Sequence, residues 1–210
     1  LASIDEHDPD FLARTLVVTD DYDDFRPVME EWPVVEFLQV DGEFNFSAWN
    51  NHAVGTILHR TDSFMLLNDD CQLITPGGFT MLEKLVEHPG TPPILSAAIR
   101  GTGGVIDQRQ HTSNSIRLMP GHISFTAVAI HKQVWEKLGE LDERFTGYGH
   151  EDNDYCQRAM AENIPIAVFD GCLVAHTKPH STFGRRDDFM ALWLQNETLF
   201  GEKWSEAQDT

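Results

Sequence analysis

Cysteines and long apolar runs are scarce in this sequence. The three cysteines, Cys71, Cys156 and Cys172, have no paired metal-ligand spacing. Such a sparse, odd number predicts reduced thiols and a cytoplasmic location rather than a disulfide framework. The longest apolar stretches, residues 64–67 and 92–99, are far shorter than the roughly 20 residues that a membrane-spanning helix needs. We therefore expect a chain without a membrane span.

Positive charge is also scarce. Lysine and arginine together number 15, against 34 aspartates and glutamates, which gives a formal net charge of -19. A polyanion of this size is repelled by phosphate backbones and by anionic membrane surfaces. The sequence therefore predicts that nucleic acid is not a partner. Hydrophobic residues make up 41% of the chain, a globular composition that excludes disorder.

Short apolar runs alternate with helical patterns along the chain. The runs predict strands at residues 15–19, 34–40, 64–67, 94–98, 123–130 and 164–169. The helical patterns lie at residues 79–86, 131–138 and 156–160. This alternation predicts an α/β fold in which helices cover both faces of a mainly parallel sheet. Given the length and the lack of internal repeats, we expect one domain over residues 1–204 and a tail over residues 205–210.

The strongest local motif is a strand that ends in an amide and two carboxylates. Asn68, Asp69 and Asp70 follow the run at residues 64–67. Ligands bind at the carboxyl ends of strands in open α/β sheets, and Mg²⁺ or Mn²⁺ takes oxygen ligands. The motif therefore predicts a divalent metal site, although an ordinary solvated turn has about the same composition.

A second motif combines glycines with carboxylates at the start of a helix. Gly147 and Gly149 flank Tyr148, and Glu151 and Asp152 fall where the helix begins. Helical spacing directs Asp152 inward, where a carboxylate can act as a general base. The alternative is that both acids only complement the helix dipole.

Two further signals lie near the carboxyl end. His176 ends an apolar run, and its imidazole would favour Mn²⁺ over Mg²⁺, whereas a lone histidine is more often structural. Arg185 and Arg186 could close over a diphosphate as a cationic clamp or form a solvated pair beside two aspartates.

The polar, glycine-rich segment at residues 101–121 predicts either a mobile loop beside an acceptor or a plain surface excursion.

In combination these motifs resemble family 2-like glycosyltransferases of the GT-A fold, especially the rhamnosyltransferase-like branch. The resemblance spans residues 20–176, about four-fifths of the chain. The matching segments are residues 16–21, 46–54, 68–70, 135–145, 148–158 and 174–176.

The resemblance implies a role for each matching residue. Asp70 and His176 would bind the metal, Mn²⁺ or Mg²⁺, and Asp152 would be the catalytic base with Glu151 as its neighbour. The resemblance further places Asp20, Asn51 and Asp69 on the donor, a nucleoside-diphosphate sugar. The implied reaction is an inverting transfer of the sugar to a hydroxyl of a carbohydrate or another acceptor.

One departure from the family pattern concerns the donor site. Family members begin with a strand and a loop that clamp the base, and that first strand is absent ahead of residues 1–4. We expect either that the native N-terminus lies outside this sequence, or that another chain supplies the wall, or that the protein is a degenerate relative. Two other functions stay open: a nucleotidyltransferase, and a non-catalytic carbohydrate-binding or assembly module on the same fold.

Overall fold

Helices and strands alternate along most of the chain, which is described by a computed structural model at residues 1–101, 104–176 and 187–206. The helices are α1 (Ala2–His7), α2 (Pro9–Leu12), α3 (Tyr22–Glu31), α4 (Phe46–Ile57), α5 (Gly78–Val86), α6 (Lys132–Leu138), α7 (Glu151–Ala161) and α8 (Phe189–Glu206). The strands are β1 (Leu16–Thr19), β2 (Glu36–Gln39), β3 (Ser63–Leu67), β4 (Cys71–Leu73), β5 (Ile94–Gly101), β6 (Ile116–Leu118), β7 (Ala127–His131) and β8 (Ile166–His176).

The main sheet has six strands and mixed directions. Its order is β3-β7-β5-β8-β4, with β6 also paired to β8, while β1 and β2 form a separate two-stranded parallel sheet. Within the main sheet, β5 and β8 run parallel, and the other described pairings are antiparallel. The expectation of a mainly parallel sheet is therefore wrong in this respect, although the α/β class and the flanking helices are confirmed.

The connections between paired strands account for the mixed directions. Parallel neighbours need a crossover of about a dozen residues or more, usually a helix. The described residues between the antiparallel neighbours β5 and β7 contain just a single 3₁₀ turn and β6, with no α-helix to form such a crossover. By contrast, β5 and β8 are far apart along the chain, with α6 and α7 between them.

Successive side chains of each strand point to opposite faces of the main sheet, and a hydrophobic core lies on each face. In β3, Phe64 and Leu66 belong to one core cluster, whereas Met65 and Leu67 pack against the other. The first cluster takes in residues of α4, α6 and α7, and the second is covered by α5. Helices therefore cover both faces, as period-two burial in the strands requires.

Three boundaries differ from those predicted. The last strand, β8, continues to His176 and contains an irregularity where Ala97 pairs with Phe169 and Ala98 pairs with Leu173. The helix α8 extends to Glu206, past the expected start of the tail at residue 205. The expected mobile segment at residues 101–121 includes β6, which pairs with β8. That residues 1–204 form one domain stays a prediction.

A helix that crosses a bilayer must be about 20 residues long and predominantly apolar. The described helices differ from this. Not one of them combines the length and the apolar character needed to cross a membrane.

Candidate active site

A tight turn between β3 and β4 holds Asp70 at the edge of the main sheet. The Asn68 N–H donates to Thr126 O at 3.0 Å, and the Cys71 N–H donates to Asn68 O at 3.2 Å. Antiparallel pairing then places Cys71 directly opposite His176, the last residue of β8. Strand pairing therefore brings residue 70 next to residue 176, more than a hundred positions away along the chain.

Asp70 and His176 are in direct contact. His176 Nε2 lies 3.0 Å from Asp70 Oδ1, and the Asp70 side chain is only 8% exposed. The second carboxylate oxygen, Asp70 Oδ2, is buried and has no hydrogen-bond partner. An unpartnered buried carboxylate oxygen is costly, so it indicates a site that takes a cation.

The donor set at this position fits a divalent metal ion. One ligand atom each from Asp70, Cys71 and His176 lies within 4.8 Å of the others, which makes these residues a candidate metal cluster among those described. A carboxylate oxygen, an imidazole nitrogen and a sulfur are the ligands that first-row divalent metals take. The predicted pair of Asp70 and His176 is thus joined by a cysteine that the sequence analysis had given no role.

Tyr148 connects this cluster with the start of α7. Burial raises the pKa of the Tyr148 phenol, and the negative charges of Asp152, Glu151 and Asp70 raise it further. A hydrogen bond with the Asn68 side chain acts in the opposite direction. The three carboxylates therefore lie within electrostatic reach of one phenol, and residues 70, 152 and 176 share one region of the molecule.

Glu151, the first residue of α7, is locked inside the protein. It is 1% exposed, and its Oε2 accepts the Gly149 N–H at 2.5 Å. Burial raises its pKa to about 8, and the charge of Asp152 acts in the same direction. The carboxyl group is therefore better suited to holding the loop before α7 than to meeting a substrate.

Asp152 is half-buried beside Glu151, so it is the more open of the two acids. Burial raises the pKa of Asp152, while hydrogen bonds from the Asn153 and Phe125 backbone and the charge of His122 lower it. The Asn153 N–H donates to Asp152 Oδ1 at 2.7 Å. A carboxylate with a raised pKa is a better proton acceptor, which is what a general base requires.

The helix α8 packs over the loop that leads into α7. Asn196 is 0% exposed, its Oδ1 accepts the Thr146 N–H at 3.2 Å, and its Nδ2 donates to Thr146 O at 3.0 Å. The His150 ring lies 5.0 Å from the Trp193 ring. These contacts fix the loop from the outside while Glu151 fixes it from the inside.

Further along, α8 is attached to α7 itself. Asp154 is 0% exposed and is bound by three donors: Arg158 Nε at 3.0 Å, Lys203 Nζ at 2.7 Å and Trp204 Nε1 at 3.0 Å. This buried carboxylate joins the end of α8 to the helix that carries Asp152.

The other predicted site residues have different surroundings. Asn51 is 5% exposed, and its amide bonds Leu141 through both backbone groups and donates to Glu143 Oε1 at 3.0 Å. It braces α4 beside an open groove of about 520 Å³, and its contact with a nucleotide stays a prediction. Asp69 is exposed in the β3–β4 turn, and Asp20 is exposed directly after β1. Arg185 and Arg186 lie outside the described residues.

Comparison with known proteins identifies the fold. No family model matches the chain, and no curated protein matches it. Among solved structures, GalNAc-T7 with UDP, GalNAc and Mn²⁺ superimposes with a TM-score of 0.62 at 12% identity over 84% of this chain. The protein has the GT-A glycosyltransferase fold. The aligned region is 39% of the GalNAc-T7 chain.

Two further structures are similar at lower scores. The catalytic domain of Drosophila β1,4-galactosyltransferase 7 in complex with xylobiose has a TM-score of 0.48 and 14% identity, and covers 82% of this chain and 72% of its own. The inositol-1-phosphate CTP transferase from T. maritima has a TM-score of 0.49 and 13% identity, and covers 87% of this chain and 75% of its own. The GT-A assignment depends on neither of these scores.

Two residues of the candidate site were given no role from the sequence. Cys71 follows the acidic motif directly, but its position opposite His176 depends on a strand pairing that no local pattern shows. Tyr148 was noted as the residue between two glycines and as part of the matching segment 148–158, but it was given no role.

Proposed function

We propose that this chain is a divalent-metal-dependent glycosyltransferase that moves a sugar from a nucleoside-diphosphate sugar to an acceptor hydroxyl with inversion. The observation that carries the proposal is the 3.0 Å contact of His176 with Asp70, whose second oxygen is buried without a partner. Tyr148 relates that pair electrostatically to Glu151 and Asp152. A cation site and a candidate base in one region of a GT-A fold suit transfer from a diphosphate donor.

In this proposal the two ends of the site have different tasks. Asp70 and His176 would hold the Mn²⁺ or Mg²⁺ ion, which supplies charge neutralisation for the departing nucleoside diphosphate when bound. Asp152 accepts the proton of the acceptor hydroxyl as that oxygen attacks the anomeric carbon. Attack on one face and departure from the other invert the configuration, and no covalent sugar–enzyme bond forms.

The neighbouring residues position these groups. Glu151 holds the Gly149 N–H and so keeps the loop before Asp152 in place. Tyr148 stays protonated, because burial and three carboxylates raise its pKa, and so its hydroxyl can act as a hydrogen-bond donor.

The remaining donor contacts belong to the same proposal. Asp20 and Asn51 would bind the nucleoside, Asp69 the ribose and diphosphate, and Arg185 with Arg186 would close over the diphosphate. The structure of GalNAc-T7, to which this fold is similar, contains UDP, GalNAc and Mn²⁺. That likeness supports a nucleotide-sugar donor in general, while the rhamnosyltransferase-like branch stays a further proposal.

Two properties of the whole chain accompany this function. The three cysteines are all free thiols, which supports the proposed cytoplasmic location. The net charge of -19 supports an acceptor other than nucleic acid.

The test separates donor binding from transfer. Thermal shifts are measured with UDP, GDP, ADP, CDP and dTDP, each with and without Mn²⁺, because a ligand that binds only the folded state raises the melting temperature. We expect one nucleotide to stabilise the chain in a Mn²⁺-dependent way. Asp70→Ala should abolish that shift, whereas Asp152→Asn should keep it and lose transfer from the matching nucleotide sugar. Glu30→Gln, at an exposed position of α3, is the control and should change neither result.

The products distinguish the alternatives. Release of a nucleoside diphosphate supports the glycosyltransferase, and release of pyrophosphate from a nucleoside triphosphate and a sugar phosphate shows a nucleotidyltransferase. A chain that binds a carbohydrate but turns over no nucleotide sugar with Mn²⁺ present is a non-catalytic module, and the proposal is then wrong.

A further inference from the structure

Cys71 is the residue of the metal cluster with no assigned role. Antiparallel pairing of β4 with β8 makes Cys71 and His176 direct partners, so their side chains project from the same face of the sheet. Cys71 also follows Asp70 in the chain, and the ligand atoms of the three residues all lie within 4.8 Å of one another. Position and chemistry together set this thiol apart from the other two.

The remaining cysteines show what a structural thiol looks like in this protein. Cys156 and Cys172 are both 0% exposed inside the hydrophobic core clusters. Cys71 is half-buried at the sheet edge, and its Sγ makes one long contact of 3.7 Å with Thr126 O. Its sulfur is therefore not committed to packing in the way that theirs are.

We propose that Cys71 is a sulfur ligand of the metal site, and that it makes the site prefer thiophilic ions such as Co²⁺ and Zn²⁺ over Mg²⁺. This inference rests on the proposed function, because it assigns a third ligand to the site of Asp70 and His176. Thiolate and imidazole bind Zn²⁺ and Co²⁺ well, whereas Mg²⁺ prefers oxygen ligands and retains its waters. When the metal–sulfur bond forms, the Cys71 thiol releases its proton to solvent.

The distances are compatible with one shared ion. Bonds of about 2.0 Å to nitrogen or oxygen and about 2.3 Å to sulfur place two tetrahedral ligands about 3.5 Å apart. His176 Nε2 and Asp70 Oδ1 are already 3.0 Å apart. Because the ligand atoms of all three residues lie within 4.8 Å of one another, side-chain movements of about an ångström bring them to bonding distance from one ion. The unpartnered Asp70 Oδ2 adds a second oxygen to the same site.

The experiment uses Co²⁺ as the probe on the 210-residue chain, in buffer with a non-thiol reductant. We expect a near-ultraviolet sulfur-to-cobalt absorption band in the unmodified chain and its loss in Cys71→Ser. The visible cobalt bands that report Asp70 and His176 should remain in Cys71→Ser. Affinity for Co²⁺ should fall at least about tenfold, the loss that removing even an outer-shell partner causes. Affinity for Mg²⁺ should stay within about twofold, because Mg²⁺ would not use the sulfur.

Two control variants make the result decisive. Cys71→Ala keeps the strand pairing and tests whether any effect of serine comes from its hydroxyl. His176→Ala should remove cobalt binding while leaving all three cysteines in place, so a charge-transfer band that survives it would come from another thiol. Circular dichroism and melting temperature show that each variant is folded.

The possible outcomes separate this inference from the function it rests on. Visible cobalt bands that need His176, without a sulfur band in the unmodified chain, would overturn the role of Cys71 and leave the metal site standing. The same conclusion follows if Cys71→Ser binds Co²⁺ as tightly as the unmodified chain. Failure of the folded chain to bind Co²⁺, Mn²⁺ or Mg²⁺ would remove both the inference and the metal-dependent function.

Discussion

Gly149 sits where the loop before α7 passes under α8, and replacing it with alanine should disturb both. Its φ is +118°, a conformation that side chains rarely adopt, and a Cβ there would lie 3.0 Å from Trp193 Cδ1. The backbone strain costs about 1–3 kcal/mol, and forcing a methyl group against a packed ring costs a similar amount. We therefore expect Gly149→Ala to lose about 2–5 kcal/mol of unfolding free energy.

The assay is chemical denaturation together with a melting curve. For a chain of this length, each kcal/mol lowers the melting temperature by about 2–4 °C, so the expected drop is about 4–20 °C. Gly90→Ala is the matched control, because Gly90 also has a positive φ, +89°, but nothing lies within 4 Å of its Cβ position. The difference between the two variants isolates the contact with Trp193.

A double-mutant cycle completes the test. Trp193→Ala should reduce the steric part of the Gly149→Ala cost and leave the part due to φ, so the two changes should be non-additive by about 1 kcal/mol or more. If Gly149→Ala costs no more than Gly90→Ala, or if the two substitutions are additive, then α8 does not press on this loop and the reasoning is wrong.

Three further substitutions test buried carboxylates. Burial raises the pKa of Glu151 from 4.5 to about 8. Between these pH values the folded chain binds more protons than the unfolded chain, so its stability falls as pH rises. Glu151→Gln should therefore flatten the decline of the melting temperature with pH. Asp154→Asn should lower the melting temperature by about 10 °C, because removing the buried anion from Arg158 and from Lys203, which keeps Asp142, costs about 3 kcal/mol. Asp170 is 0% exposed and binds Arg117 through both oxygens, so Asp170→Asn should make limited trypsin cleavage after Arg117 several-fold faster.

Each of these predictions has its own control. A melting temperature of Glu151→Gln that changes with pH as in the unmodified chain would contradict the buried-acid argument. Glu162→Gln, which alters an exposed ion pair with Lys137, should cost under about 1 kcal/mol, and an equal effect of Asp154→Asn would refute the role of Asp154. Asp107→Asn provides the exposed comparison for Asp170→Asn, and equal trypsin rates would show that Asp170 does not secure the segment.

The α/β class and most elements of the fold could be predicted from the sequence, since these depend on local patterns. Short apolar runs located β1, β2, β3, β5 and β7 to within a few residues and the start, but not the end, of β8, and helical spacing located α5, α6 and α7. The strands β4 and β6 were missed because three residues are too few for a periodic signal. The mixed directions were missed because sequence periodicity marks which side chains are buried and not which way neighbouring strands run.

In the candidate site too, some residues follow from local sequence patterns and others only from the tertiary structure. Asp70, Asp152 and His176 could be proposed from the sequence because carboxylates and imidazoles at the ends of apolar runs or at the start of a helix are unusual local combinations. Tertiary structure decided three other features: the position of Cys71 beside these residues, the electrostatic connection through Tyr148 and the burial of the Glu151 carboxyl group. Strand register and helix packing fix distances between residues that are remote in the chain, and no short-range pattern encodes those distances.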